Sequence, residues 1–148
     1  MAQILLIEDN PGDILLTIEA FKECTECHKI DSVEDGIEAL KYLRKQGKYS
    51  NSPDPDIILL DLNLPKMDGR EVLAVIKSDL NLKTIPVIIL STSRNSEDIL
   101  TSYALKANCY ITKPVELDNF IKIINSIDNF WLKTVKLPKT ASKVPSNV

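Results

Sequence analysis

Runs of four apolar residues recur at positions 4–7, 57–60 and 87–90 of this chain, and each stops abruptly at a charged or hydroxyl residue. The first begins with Gln3 and ends in Glu8-Asp9-Asn10-Pro11, the pattern of a strand, a loop and a helix start. Helical spacing follows from Asp13 through Leu16, Ala20 and Phe21, and residues 28–33 predict a second strand. Ile37, Leu40, Leu43 and Arg44 mark a second helix that ends near Gly47, after which Asn51, Ser52, Pro53 and Pro55 predict a loop over residues 49–56. The run at 57–60 predicts a third strand whose last residue is Asp61. Its lack of alternation means that both faces are covered, as in a parallel sheet. Pro65 and Gly69 interrupt the chain before a helix carrying Val72, Leu73 and Ile76. The run at 87–90 predicts a fourth strand, ending in Ser91-Thr92-Ser93. Leu100, Ala104 and Ala107 predict a helix over 95–107, residues 109–111 a short strand, and Thr112-Lys113-Pro114 leads into a last helix over 116–131. Five strands alternating with five helices imply an α/β fold, a (βα)5 doubly wound five-stranded parallel sheet in the flavodoxin-like order 2-1-3-4-5.

In such sheets ligands bind beyond the carboxyl ends of the strands, near the point where strand order reverses. The residues at those ends are Glu8 and Asp9, Asp61, Ser91 and Lys113, from strands that this order makes neighbours. Carboxylates so close disfavour mutual ionisation unless a cation neutralises them. A site of oxygen donors without His or Cys suits Mg2+, a hard ion that commonly bridges to phosphate. Asp61 is then placed to act as a carboxylate nucleophile towards a phosphoryl group. Lys113 and the metal would offset the charge on the phosphoryl oxygens, and the Ser91 hydroxyl would bond one of them. Taken singly, these residues have plainer readings: Asp61 as a loop or capping carboxylate, Ser91 or its neighbour Thr92 as a helix cap, Tyr110 as ordinary strand packing.

Glu8-Asp9, the apolar strand ending in Asp61, Pro65-Lys66-Met67-Asp68-Gly69, the hydroxyl Ser91 and Lys113-Pro114 together resemble the receiver domain of two-component response regulators, over residues 3–131. The resemblance implies that Glu8 and Asp9 are the acidic metal pair and Asp61 the phospho-acceptor, with Asn63 lending a backbone carbonyl to the metal. It also implies that Ser91 is the switch hydroxyl, Lys113 the phosphate-pairing lysine, Tyr110 the aromatic whose rotamer reports activation, and the peptide between Lys113 and Pro114 cis. Residues 108–114 and Phe130-Trp131-Leu132, with the basic tail, resemble the small response regulators paired with cyanobacterial phytochromes. The implied partner is therefore a sensor histidine kinase of the phytochrome type. Two positions depart from the family: Lys106 stands where a small Gly is usual, and Ser91 where Thr is commoner.

Composition narrows the field further. With 148 residues, 44% hydrophobic and 26% charged, the chain has the make-up of one soluble globular domain rather than a disordered segment. We divide it into a receiver domain at 1–131 and a basic C-terminal extension at 132–148, mobile after Leu137. The net charge of −3 argues against a nucleic-acid or anionic-membrane partner. That average conceals an uneven distribution. Lys133, Lys136, Lys139 and Lys143, with no acid after residue 131, give the extension +4 and leave the body at −7. No secretory signal and no spanning segment is expected, so the three cysteines read as reduced thiols of a cytoplasmic protein. Cys24-Thr25-Glu26-Cys27-His28 matches the C-x-x-C-H haem signature literally and, with Cys109, offers zinc ligands. It spans a predicted helix end and strand start, which suits neither role.

The last helix places Leu117, Phe120, Ile121, Ile124, Ile127 and Trp131 on one face, with Ile123 and Phe130 beside that stripe. A stripe wider than one packing face usually means deeper burial, but at a terminal helix it also marks a protein interface; with the phytochrome-type resemblance it implies a homodimer through Ile123, Phe130 and Trp131. Three other functions compete with the phosphorylation switch. A phosphatase of the aspartyl-nucleophile type would place a second Asp two residues after the first, where this chain has Asn63. A flavin-binding domain would place a hydroxyl- and Gly-rich phosphate loop where Glu8 and Asp9 stand. A receiver fold acting as a phosphorylation-independent docking scaffold needs none of the chemistry. With no recognisable output domain in the sequence, the signal is expected to leave through protein contacts.

Overall fold

The computed structural model describes residues 1–24 and 26–138. Five strands alternate with five helices: β1 (Gln3–Ile7), α1 (Pro11–Lys22), β2 (Lys29–Val33), α2 (Gly36–Leu43), β3 (Ile57–Leu60), α3 (Gly69–Ser78), β4 (Val87–Ser91), α4 (Ser96–Ala104), β5 (Cys109–Thr112) and α5 (Leu117–Ile127). The strands form one parallel sheet in the order β2-β1-β3-β4-β5, as the alternating pattern predicts. Side chains alternate across it. Leu5, Ile7, Ile58, Leu60, Val87 and Ile89 pack with Ala39, Val72, Leu73 and Ile76 from α2 and α3. Ile4, Leu6, Ile57, Leu59, Ile88 and Leu90 pack with Phe21 of α1 and with Phe120, Ile124 and Ile127 of α5. Two apolar layers around one sheet explain why the three central strands are uninterrupted apolar runs. Among the described residues no helix is long and apolar enough to cross a membrane.

The helix starts are set by short polar side chains. Asn10, Asp35, Asp68 and Asn95 accept hydrogen bonds from the backbone N–H of Asp13, Glu38, Arg70 and Glu97. Pro11 follows the first cap, where its missing N–H costs nothing. Gly69 opens α3 because the helix starts against the loop carrying Asp61. A Cβ there would lie inside contact distance of the Asp61 carbonyl oxygen and the Leu62 Cα.

Several elements end elsewhere than the sequence expectation; α2 closes at Leu43 rather than near Gly47, and β5 runs on to Thr112. β3 closes at Leu60, so Asp61 lies one residue past the strand. α4 closes at Ala104 instead of 107, because Lys106 adopts φ 75° and Ala107 N–H turns back to the Ser102 carbonyl at 3.0 Å. α5 closes at Ile127 and continues as a π-helical segment over Asp128–Thr134. Asp128 explains that change. Its buried carboxylate meets His28 Nε2 at 2.7 Å and Lys133 Nζ at 3.1 Å, and Lys133 stands five residues on, the separation that a π turn brings together. The Val135 N–H to Phe130 carbonyl bond, at 2.8 Å, repeats this spacing.

His28 Nδ1 accepts the Ala2 N–H at 3.0 Å, so both of its ring nitrogens are engaged within the protein. Cys24 is half-buried, Cys27 exposed and Cys109 half-buried on β5. This arrangement offers no imidazole lone pair to haem or zinc. Leu137 is buried, and the rest of the extension, residues 139–148, lies outside the described residues.

Lys106 carries a side chain in the left-handed region, at a cost of about 1–2 kcal/mol that glycine escapes. Lys106→Gly is expected to stabilise the fold by about 1 kcal/mol and to raise the melting temperature by about 3 °C. An unchanged or lower melting temperature in calorimetry would count against strain at this position.

Candidate functional site

The register of the sheet assembles the site. Ile7 pairs with Leu60, so the residues that follow them, Glu8 and Asp61, leave the sheet side by side. The Asp61 N–H extends the ladder to the Ile7 carbonyl at 3.0 Å, and the Glu8 N–H does so to Val33 at 3.0 Å. On the other side Ser91 pairs with Thr112, and the Lys113 N–H reaches the Ser91 carbonyl at 2.7 Å. Backbone pairing thus delivers Glu8, Asp61, Ser91 and Lys113 to one edge with little freedom.

Lys113 Nζ is the hub of their side chains. It forms an ion pair with Glu8 Oε1 and lies 3.0 Å from Asp13 Oδ2 and 3.3 Å from Asp61 Oδ2. The Lys113, Glu8 and Asp61 side chains are 6%, 3% and 11% exposed, so the charges are largely removed from water. Burial beside Asp61 pushes Glu8 up to about 7, despite the ammonium. Burial alone would pull Lys113 down, but Glu8, Asp61 and Asp13 hold it above the usual lysine range. The second Glu8 oxygen accepts from Asp9 N–H at 3.1 Å and from Asn10 N–H at 3.4 Å. Asp61 Oδ1 accepts from Asn63 N–H at 3.2 Å.

Carboxylate oxygens of Glu8, Asp9 and Asp61 lie within 4.8 Å of one another. This donor set fits a hard divalent cation. It is all oxygen, combines buried acids with the exposed Asp9, and carries more negative charge than Lys113 balances. A shallow cleft of about 160 Å3 adjoins it, lined by Asp13, Thr92, Lys113, Pro114 and Leu117 among others. That volume admits a phosphoryl-sized group and is too small for a flavin. A larger cavity, about 550 Å3, lies at the opposite end of the sheet beside Pro55, Leu82 and Pro86, and no site residue lines it.

Ser91 is fully buried, and its Oγ accepts the Ser93 N–H at 3.2 Å. Tyr110 is half-buried against the α2/α3 layer, with its hydroxyl donated to the Ser93 carbonyl at 2.8 Å. The Lys113–Pro114 peptide is trans, whereas the resemblance implies cis. The trans chain already brings the Lys113 ammonium to its carboxylates. Ile123, Phe130 and Trp131 stand apart from this cleft, around an apolar groove of about 220 Å3 on α5 and its π-helical continuation.

Asp13 was not foreseen. It is an acid in the first turn of α1, the helix that starts where β1 ends, and that position was the available signal. Ser93, Asp98 and Arg70 were also missed, because their contacts join separate elements.

Residues 4–125 match the family profile of the response regulator receiver domain. Response regulator Rcp1 of Synechocystis sp. is 50% identical over 135 residues, which span 91% of this chain and 92% of the relative. The crystal structure of the phosphorylated cyanobacterial phytochrome response regulator RcpA shares 55% identity with a TM-score of 0.90, covering 93% of this chain and 98% of that one. The Mn(2+)-bound form of Rcp1 shares 49% identity with a TM-score of 0.89, covering 93% and 99%. The sheet order, the acidic cleft around Lys113 and these similarities agree: this chain belongs to the response regulator receiver family.

Proposed function

We propose that Asp61 accepts a phosphoryl group from a phosphohistidine of a sensor histidine kinase, of the phytochrome type that the names of its relatives suggest. The observation that carries this reading is the buried ammonium of Lys113 shared among Glu8, Asp13 and Asp61, beside the exposed carboxylate of Asp9. Glu8, Asp9, Asp61 and the backbone carbonyl of Asn63 would hold Mg2+. When bound, the ion supplies charge neutralisation for the phosphoryl oxygens.

In the transfer an Asp61 oxygen forms the new O–P bond as the N–P bond of the donor breaks, and the imidazole leaves with its electron pair. The fixed backbone of Asp61 supplies alignment, and Lys113 pairs with the incoming charge. The Ser91 hydroxyl then bonds a phosphoryl oxygen, and Tyr110 follows the loop after β4. Asn63 occupies the place of a second acid, so the chain acts as a switch rather than a turnover phosphatase.

Output then passes through protein contacts. Phe130 is 56% exposed beside the groove lined by Ile123 and Trp131, and this face docks a second copy of the chain.

A small-molecule phosphodonor with Mg2+ is expected to label wild type and leave Asp61→Asn unlabelled on a phosphate-affinity gel. Equal labelling of both would exclude Asp61. An unlabelled wild type that still binds its partner would favour a docking scaffold.

The raised Glu8 carboxyl also has a stability signature. A group near 4.5 when unfolded and near 7 when folded stabilises below 4.5, and that contribution is lost as pH rises through 7. In Mg2+-free buffer, wild type is expected to lose about 3 kcal/mol relative to Glu8→Gln between these limits. Millimolar Mg2+ should remove the loss. Parallel pH profiles for the two proteins, with no response to Mg2+, would contradict both the burial of charge and the metal site.

Sedimentation tests the α5 face. Wild type is expected to dimerise at tens of micromolar and Phe130→Ala to sediment as a monomer, whereas two monomers would remove the dimer.

A further inference from the structure

Asp128 is buried at the junction between α5 and its π-helical continuation, and its partners come from distant parts of the chain. His28, just before β2, has its Nε2 2.7 Å from Asp128 Oδ1, while its Nδ1 accepts the N–H of Ala2, just before β1, at 3.0 Å. Because Nδ1 is the acceptor, Nε2 carries the proton and donates it to the carboxylate. The imidazole is closed to solvent and stands edge-on to Phe21 of α1, with the ring centres 6.2 Å apart. Lys133 Nζ brings the opposite charge to Asp128 Oδ2 at 3.1 Å. Burial pushes the Asp128 carboxyl up, but His28 and Lys133 hold it below the usual aspartate range. It is a buried carboxylate that is costly to leave without partners.

Lys133 reaches that carboxylate through the π register. Five residues of α-helix end about 140° round the axis from where they began, which would carry the ammonium to another face. Two further bonds keep the five-residue spacing: Val135 N–H to the Phe130 carbonyl and Thr134 Oγ1 to the Asn129 carbonyl, both at 2.8 Å. Turns of this kind are rare and collect at functional sites. This one carries both aromatics of the α5 face. Trp131 packs on the α1–α5 layer, in the groove lined by Ile111 and Ile123, and the exposed Phe130 stands edge-on to it, with ring centres 5.6 Å apart and planes at 87°. Continuing α5 in the α register would turn both rings round the axis relative to Asp128.

We propose that His28, Asp128 and Lys133 pin the π register and are thereby positioning residues for the α5 face, presenting Phe130 and Trp131 to a second copy of the chain as a preformed pair. The pin rests on the reading of that face as a dimer surface. It adds what sets the shape of the face: an ionic cluster anchored, through His28 and Ala2, at the start of the sheet. A surface formed in advance binds without the cost of ordering it, whereas one present in about a tenth of the molecules binds about tenfold more weakly.

Trp131 is the one tryptophan of the chain, so its fluorescence reports on the segment directly. Wild type, Lys133→Met and Lys133→Arg are compared as full chains, by acrylamide quenching at submicromolar dilution and by sedimentation at tens of micromolar. Lys133→Met removes the charge from a side chain that is 35% exposed and leaves both apolar layers intact. It is expected to raise the quenching constant about twofold and to weaken dimerisation about tenfold. Lys133→Arg keeps the charge and is expected to match wild type in both measurements, which separates the pin from general loosening of the C-terminal segment. Unchanged quenching in Lys133→Met overturns the pin, and so does Lys133→Arg matching Lys133→Met. Raised quenching with unchanged dimerisation overturns the positioning role. If wild type is a monomer throughout, the dimer reading fails by itself, and quenching in the monomer still decides whether the cluster holds the register.

Discussion

Lys113 Nζ contacts carboxylate oxygens of Glu8, Asp13 and Asp61, so the cleft sets one positive charge against three carboxylates before Asp9 is counted. In water this imbalance would be minor. Here the Glu8 and Asp61 side chains are almost wholly covered, and an uncompensated buried charge costs several kcal/mol. The excess is expressed as a Glu8 carboxyl pushed up towards neutrality and a Lys113 ammonium that cannot readily lose its proton. Both shifts have the same sense: the site favours an added cation. A divalent ion held by Glu8, Asp9 and Asp61 would neutralise that excess, and the proposed phosphoryl group would then not meet unopposed carboxylates.

The rest of the fold holds that imbalance in place. The ion pairs alone would relax by letting the chain spread. The central strands are buried on both faces and hydrogen-bonded in register, so the residues at their carboxyl ends cannot separate without breaking the sheet. Gly69 sets the second boundary by allowing α3 to start against the Asp61 carbonyl. Stability of the two apolar layers therefore sustains a strained electrostatic edge, a division of labour common at functional sites.

What the sequence disclosed follows from this division. Apolar runs ending at Glu8, Asp61 and Ser91 are visible as one-dimensional pattern, because full burial of a parallel strand removes all alternation until the strand stops. Lys113 was placed by the same reasoning and by its resemblance to a family motif. Asp13 was not placed, since nothing along the chain distinguishes a first-turn acid that meets a lysine one hundred residues away from one that merely favours the helix dipole. Ser93 and Asp98 were hidden for a related reason: short polar residues around a cap read as capping, whatever else they bond. The ends of α4 and α5 were misjudged through single residues. Lys106 takes a backbone conformation that its side chain disfavours, and Asp128 follows an amphipathic stripe but is drawn inward by His28. At Asp128 a tertiary contact outweighed a correct local preference.

A charge added at Asp61 would be shared unevenly among the partners of Lys113. A phosphoryl group replaces one negative charge with nearly two and brings new acceptors, so Lys113 must redistribute its contacts. Glu8 cannot be released cheaply, because its side chain is 3% exposed and would remain in a poorly solvated pocket. Asp13 differs, with 32% of its side chain exposed, and it can turn to water at little electrostatic cost. Asp13 is therefore the contact Lys113 can give up, while the buried pair with Glu8 keeps the ammonium at the cleft. On the far side of Ser91 the Arg70–Asp98 pair is also partly sheltered, yet it touches no group whose charge changes. The Lys113 side chain shares no hydrogen bond with the Arg70–Asp98–Ser93 contacts, so what it gives up would be set by the exposure of Asp13 and not by them.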